Sequence, residues 1–216
     1  MKNLILVTIV FLFAAFNIYS QTSPSIQFTG GIISPVNSYN GLTGSFQFNY
    51  PYNDIINFYL YTGYSSWNKN KVIFHEDYSL VQAKTIFNSY SADSHSVIPL
   101  FLGTSINFHS NKIFTAFVNF EIGYSYLSYY TYSNVREINP STGEVLSYYV
   151  DKSTRLKVDE NLVGLGLGIG LSHSITKNVN LILAVKLNSY LNSNYNSFLG
   201  PSVTWSNFLA GFNVKI

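Results

Sequence analysis

Between Asn161 and Ser174, bulky apolar residues occupy every second position: Val163, Leu165, Leu167, Ile169 and Leu171. Gly164, Gly166, Gly168, Gly170 and Ser172 stand between them. A period of two is the period of a β-strand, whose successive side chains leave opposite faces. One face of this strand suits an apolar medium. The other leaves room for side chains that arrive from elsewhere. A glycine-rich phosphate loop is excluded, because no Lys-Ser/Thr pair and no helix follow the glycines.

The same alternation recurs along the chain. Phe28 and Ile32 oppose Gln27 and Thr29; Phe46, Phe48 and Tyr50 oppose Ser45, Gln47 and Asn49; Phe58 and Leu60 oppose Asn57, Tyr59 and Tyr61. Further runs lie at 96–108, 112–128, 179–191 and 202–216. With 24–34, 43–50, 55–66 and 161–174, they predict eight strands. Pro51 to Asp54, His109 to Asn111 and Thr176 to Asn178 read as tight turns. Longer connections fall at 35–42, 67–95, 129–158 and 192–201. Short turns on one rim and long loops on the other describe an outer-membrane barrel. An even strand count returns both termini to the short-turn rim.

Charge placement separates a lipid-facing barrel from a water-facing one. Charged residues are only 10% of the chain, against roughly 25% in ordinary soluble domains. Most lie in 67–95 or 129–160; of the rest, Glu121, Lys186 and Lys215 fall on the polar faces of strands. A charge on the lipid-facing side at the bilayer midplane costs about 2–4 kcal/mol, so charge-free apolar faces are what lipid outside requires. A lipocalin-like barrel or a β-sandwich would present the other face to water and dress it with Lys and Glu. That face here carries Gly, Ser, Asn and Thr. A net charge of +2 gives no field for nucleic acid, and the absence of Cys excludes disulfides and thiolate chemistry.

The first residues read as a leader. Met1-Lys2-Asn3 starts positive, Leu4 to Phe16 is apolar apart from Thr8, and Ser20 is a small residue suited to cleavage. The run is shorter than a membrane-spanning helix and fits a secretory signal peptide. The expected organisation is a signal peptide over 1–20 and one barrel domain over 21–216.

At this point the chain resembles the small OmpA/OmpX-like outer-membrane β-barrel proteins of Gram-negative bacteria. The residues that carry the likeness are Ile98-Pro99-Leu100 with Gly103, Gly63-Tyr64, Gly123-Tyr124 and the closing strand, which alternates up to Ile216. Such closing strands often end in an aromatic residue; Ile216 departs from that, and Phe212 is the nearest substitute. The resemblance implies an eight-stranded antiparallel transmembrane β-barrel with short periplasmic turns and long extracellular loops. It further implies a monomer in outer-membrane lipid without a cofactor.

Three functions remain open on the sequence: a structural or surface-interaction barrel, a small channel, and a lipid A-modifying enzyme. Eight strands leave an interior that side chains fill, which disfavours the channel. The deacylase type resembles a His-x-Ser pair on one strand face. Here Ser directly follows His95, His109 and His173, so alternation sends each pair to opposite faces. His75-Glu76-Asp77 is the densest cluster of metal-ligating types and reads as a solvated loop. Tyr64, Trp67, Tyr124, Tyr126, Tyr129, Tyr130, Tyr190 and Trp205 read as an interfacial girdle at the long-loop end. Loops 67–95 and 129–158 are the expected contact surface for an extracellular protein or glycan. The second of these contains Asn139-Pro140-Ser141-Thr142-Gly143, a turn signal that predicts a protruding β-hairpin.

Inside the barrel, Glu121 and Lys186 fall at similar depth on either side of the strand bearing Gly164, Gly166, Gly168 and Gly170. They are expected to pair across it, with Asn119, Asn188 and Tyr59 as hydrogen-bond partners. Two buried charges are tolerated when paired and hydrogen-bonded further.

Overall fold

The computed structural model describes residues 23–78, 83–109, 114–192 and 203–216. The expected leader over 1–20 lies outside them, as do Ser110 and Asn111 of one turn and most of the 192–201 connection.

Ten strands follow in chain order: β1 (Ser25–Pro35), β2 (Gly41–Pro51), β3 (Ile56–Trp67), β4 (Ile73–Asp77), β5 (Thr85–Ser89), β6 (Ala92–His109), β7 (Phe114–Ile138), β8 (Val145–Ser174), β9 (Val179–Tyr190) and β10 (Val203–Lys215). Eight of them close into a barrel in the order β1-β10-β9-β8-β7-β6-β3-β2, and β4 and β5 form a separate two-stranded sheet. The seam joins the first strand to the last, in register from Ser25↔Lys215 to Pro35↔Trp205. All barrel neighbours are antiparallel.

The parity read from the sequence is the parity of the wall. Phe28, Phe46, Leu60, Leu102, Ile122, Leu167, Leu183 and Phe208 all point outward and are exposed, one from each barrel strand. Together they form an apolar belt, which among the described residues bears no charge. Gln27, Gln47, Asn49, Ser105, Asn119, Asn188 and Asn207 point inward and are buried. At the level of the belt the wall therefore turns polar residues inward and apolar residues outward, the reverse of a water-soluble barrel.

Two elements depart from the eight expected runs. β7 and β8 continue well past the belt as a two-stranded ribbon, paired from Tyr129↔Val158 to Ile138↔Val145 with shifts between Thr131 and Ser133 and near Glu137. The turn at its tip contains Gly143 at φ 74°, a left-handed conformation that glycine adopts without penalty. The 67–95 segment is not a plain loop: it holds the β4–β5 hairpin, paired from Ile73↔Ser89 to Asp77↔Thr85. The His75-Glu76-Asp77 cluster is thus a strand, not a solvated loop face.

That hairpin is seated on the ribbon by Tyr148 of β8. The Tyr148 ring stacks on His75 at 4.3 Å between centroids and meets Phe87 edge-on at 5.2 Å. Its hydroxyl donates to Asp77 Oδ2 at 2.9 Å, and Arg136 Nη1 stands 3.7 Å from the same oxygen. The Asp77 carboxylate, by accepting that hydrogen bond, holds the Tyr148 phenol above the ordinary tyrosine range.

Amide exchange over 133–138 and 145–151 should be slow, because those residues are paired in a ribbon; uniformly fast exchange would contradict it. Tyr148→Ala should accelerate exchange over 73–77 and 85–89 while leaving the barrel's unfolding midpoint in place.

Candidate functional site: the barrel lumen

The lumen is organised in rows running from strand to strand. One row reads Tyr59 on β3, Gly103 on β6, Glu121 on β7, Gly166 on β8 and Asn188 on β9. Large side chains alternate with glycine around the ring. The reason is space: a Cβ on Gly103 would strike the Tyr59 ring, and one on Gly166 would strike the Glu121 side chain and lie 2.7 Å from Asn188 Nδ2. The row towards the long loops repeats the device, with Gly123 and Gly164 placed between Phe101 and Tyr190. On the other side, Gly168 lies between Asn119 and Lys186, and Gly170 lies under the Phe117 ring.

Glu121 and Lys186 meet in this space. Lys186 Nζ donates to Glu121 Oε2 at 3.0 Å, and the two side chains are only 2% and 1% exposed, Lys186 first. The Tyr59 hydroxyl donates to the same oxygen at 3.0 Å, and Asn188 Nδ2 donates to Oε1 at 2.8 Å. The ammonium also stands 3.8 Å from the Tyr61 ring centroid and 5.2 Å from that of Tyr59. Asn207 Nδ2 donates to Asn188 Oδ1 at 3.0 Å, which carries the network to β10. Of the three expected partners, Tyr59 and Asn188 bond the carboxylate. Asn119 does not: its Oδ1 is buried without a hydrogen-bond partner among the described residues.

Above this layer sits an aromatic plug. Trp67, Tyr129, Tyr190 and Trp205 are buried inside the barrel together with His95, Tyr61, Phe101, Leu127 and Leu162. The expectation of a girdle is corrected for these four; Tyr64 and Tyr124 do face outward. Strand parity explains the correction. Trp67 shares the parity of Tyr59 and Ser65, Tyr129 that of Ser125, Tyr190 that of Asn188, and Trp205 that of Asn207. Within the plug His95 lies parallel to Trp67 at 4.9 Å and near-parallel to Tyr129 at 5.4 Å. Its Nδ1 and the Asn68 carbonyl oxygen are 2.7 Å apart. Trp205 bridges Trp67 at 5.6 Å and Tyr190 at 4.5 Å. The Tyr129 hydroxyl donates to buried Glu160 at 2.9 Å, and Tyr190 shares a 2.8 Å hydrogen bond with Ser125.

An eight-stranded closed antiparallel barrel with an apolar belt and a filled lumen is the fold of small outer-membrane barrels of the OmpA/OmpX-like type. Solved structures agree with that class. Neisserial surface protein A matches at a TM-score of 0.58 and 14% identity, over 89% of this chain and 97% of that one. A major outer membrane protein from Thermus thermophilus matches at a TM-score of 0.51 and 13% identity, over 90% of this chain and 100% of the other. No protein-family model matches the chain, and no curated protein matches it.

Removing one member of a buried pair strands the other, at a cost of about 3–5 kcal/mol. Glu121→Gln should therefore lower the unfolding midpoint of the refolded barrel far more than Glu144→Gln in the turn of the ribbon, where a surface change is worth about 0.5 kcal/mol or less. Equal midpoints would refute a pinning role for the pair. The glycines give an independent check. Gly166→Ala should destabilise by roughly 1–3 kcal/mol through overpacking. Gly44→Ala, whose added Cβ meets nothing within 4 Å, should be neutral or stabilise by up to about 1 kcal/mol.

Proposed function

We propose that this chain is a solute-tight outer-membrane barrel that acts through the structured surface beyond its long-loop end, with residues 1–20 as its secretory leader. The observation that carries the reading is the double obstruction of the lumen. The Glu121–Lys186–Tyr59–Asn188 layer closes the middle, and the Trp67–His95–Tyr129–Trp205–Tyr190 cluster closes the region above it. An interior of about eight strands is already only as wide as its side chains. The charges of Glu121 and Lys186 are spent on each other, and buried Glu160 accepts from the Tyr129 hydroxyl, which suits a pin rather than a catalyst. His95 is held between two rings, and Ser96, next in sequence, leaves on the opposite face, which argues against hydrolysis. Glu121 and Lys186 thus act structurally; of the lumen glycines, Gly166 and Gly168 leave room for them, and Gly164 and Gly170 leave room for Tyr190 and Phe117.

Outside the membrane, the ribbon of β7 and β8 and the β4–β5 hairpin locked to it by Tyr148 make a shaped platform. Phe74 is 70% exposed on the hairpin and Tyr149 is 50% exposed on the ribbon. This platform is the proposed contact surface for an extracellular protein or glycan, and the protomer acts as a monomer surrounded by lipid.

In planar bilayers the protein should show no stable single-channel steps although its band shifts on heating as a folded barrel's does. Steady conductance from the heat-modifiable form would overturn the closed reading in favour of a channel. Loss of lipid A mass on expression would favour the enzyme instead.

A further inference from the structure

On the outward face of β6, β7 and β8 the apolar belt ends in the row Leu100–Tyr124–Val163, followed by Ile98–Tyr126–Asn161. The next two rows towards the long loops are Ser96–Ser128–Asp159 and Asp93–Tyr130–Lys157. Both keep the outward parity of the belt, so they stand over lipid and not over the lumen. The Asp159 carboxylate is fully engaged: it accepts from Ser128, Tyr126 and Lys157, whose Nζ stands 3.1 Å from each of its oxygens. The Lys157 side chain is half exposed. An ammonium has three donors, and Asp159 takes no more than two of them.

β8 carries an irregularity just beyond these rows, and it serves the same face. Thr131 pairs with Leu156 and Ser133 with Asp151, so residues 152–155 all stand opposite Tyr132. This bulge is fixed from within. Thr154 Oγ1 donates to the Asp151 carbonyl oxygen at 2.7 Å and accepts from the Ser133 amide at 2.9 Å. Asp151 Oδ1 accepts from the amide and the hydroxyl of Ser153 at 2.9 and 2.6 Å. Bulges re-aim side chains, and this one brings Arg155 back over Tyr130, with Cζ 3.6 Å from the ring centroid. Arg155 is exposed and makes no ion pair among the described residues. Asp93, the other carboxylate of the two rows, accepts from the Tyr132 hydroxyl at 2.9 Å.

We propose that Arg155 and Lys157 clamp the phosphate of an outer-leaflet lipid whose acyl chains lie on the belt below. The place selects the occupant. Hydrocarbon covers the outward wall up to Tyr124 and Tyr126, so the layer met by the next two rows is that of the lipid headgroups. The chemistry selects the headgroup. Asp159 is consumed by its three donors, whereas the guanidinium of Arg155 and the remainder of the Lys157 ammonium still have hydrogen bonds to give. Phosphate accepts such bonds and carries the opposite charge, and a guanidinium meets it with two parallel N–H groups. The Tyr130 ring holds the guanidinium in place, so little freedom is lost when the phosphate arrives. Pairing with Asp159 accounts for Lys157 alone; the bulge that delivers Arg155 to the same spot is accounted for by a shared ligand. This inference rests on the long-loop end facing the cell exterior, and on neither the closed lumen nor the platform.

The test is an NMR titration of the full chain in phosphatidylcholine nanodiscs, with bisphosphorylated lipid A added in rising mole fraction as the probe. The Arg155 side-chain N–H signal and the backbone amides of 155–159 should shift and saturate. Arg155→Gln and Lys157→Gln should each weaken the binding roughly fivefold. Lys84→Gln, on the β4–β5 hairpin, should leave it unchanged. All three positions are exposed, so each variant should keep the heat-modifiable band and the unfolding midpoint of the parent. Lipid A stripped of its phosphates should give no saturating shift, and inorganic phosphate should leave the signals in place. Equal saturation by the phosphate-free lipid would assign the contact to acyl chains and the tyrosines. Saturation by inorganic phosphate alone would make this an anion site without a lipid. Unchanged half-saturation in both glutamine variants would remove Arg155 and Lys157 from the contact. Each of these three results would overturn the proposal.

Discussion

Hydrocarbon offers no hydrogen-bond partner, so a strand that enters it must find both of its neighbours within the same chain. The closure of β1 onto β10 answers that demand, and the rest of this molecule follows from it. A sheet closed by eight strands is narrow. Every inward side chain then competes for the same axis, and every outward one must suit lipid. The two solvents are separated by one layer of backbone, and strand parity alone decides which solvent each residue meets.

Competition for the axis explains why glycine is common on inward positions although it weakens strands. Gly103 exists for Tyr59, Gly166 for Glu121, Gly164 for Tyr190 and Gly170 for Phe117. The barrel is filled by long side chains from some strands crossing in front of bare backbone on others, the alternation of small and large that suits small barrels. Within that packing the ion pair contributes position more than energy. Its Coulombic gain is offset by desolvation, but its bonds to Tyr59 and Asn188 link β3, β7 and β9 across the glycine strands between them. The plug above relies on contact instead: large rings bury wide areas and meet at stacked and edge-on geometries that add a modest further term.

Most of the wall was legible in the sequence because a period of two, the residues preferred in turns and the cost of charge in lipid all point the same way. The inward set on 161–174 and the approach of Glu121 to Lys186 required only parity and a depth count from the turns. Two things were harder. Trp67, Tyr129, Tyr190 and Trp205 are aromatic residues near strand ends, and composition draws such residues to the interface; their parity pointed inward, and parity governs here. The β4–β5 hairpin was hidden because Ile73 to Asp77 alternates over too few residues and carries a carboxylate pair. Its order comes from Tyr148, far along the chain, which no local pattern announces. Asn119 was expected on the carboxylate, but Tyr59 and Asn188 already occupy the row of Glu121; Asn119 stands one row nearer the short turns, in the row of Lys186, and its short side chain does not cover the step that the long lysine does.

The seam between β1 and β10 also has a meaning in time. Ser25 is paired with Lys215 and Phe28 with Phe212, so the strand made first waits for the strand made last. A nascent chain that stops short of Phe208 has two raw edges and no inside. Nothing resembling a smaller barrel is available to it, since removing one strand removes the partners of two others. Contacts of such long sequence separation form slowly, and during that wait the apolar belt has no lipid to face. Closure of the wall therefore cannot begin until the last strand has been made, so it follows synthesis rather than accompanying it.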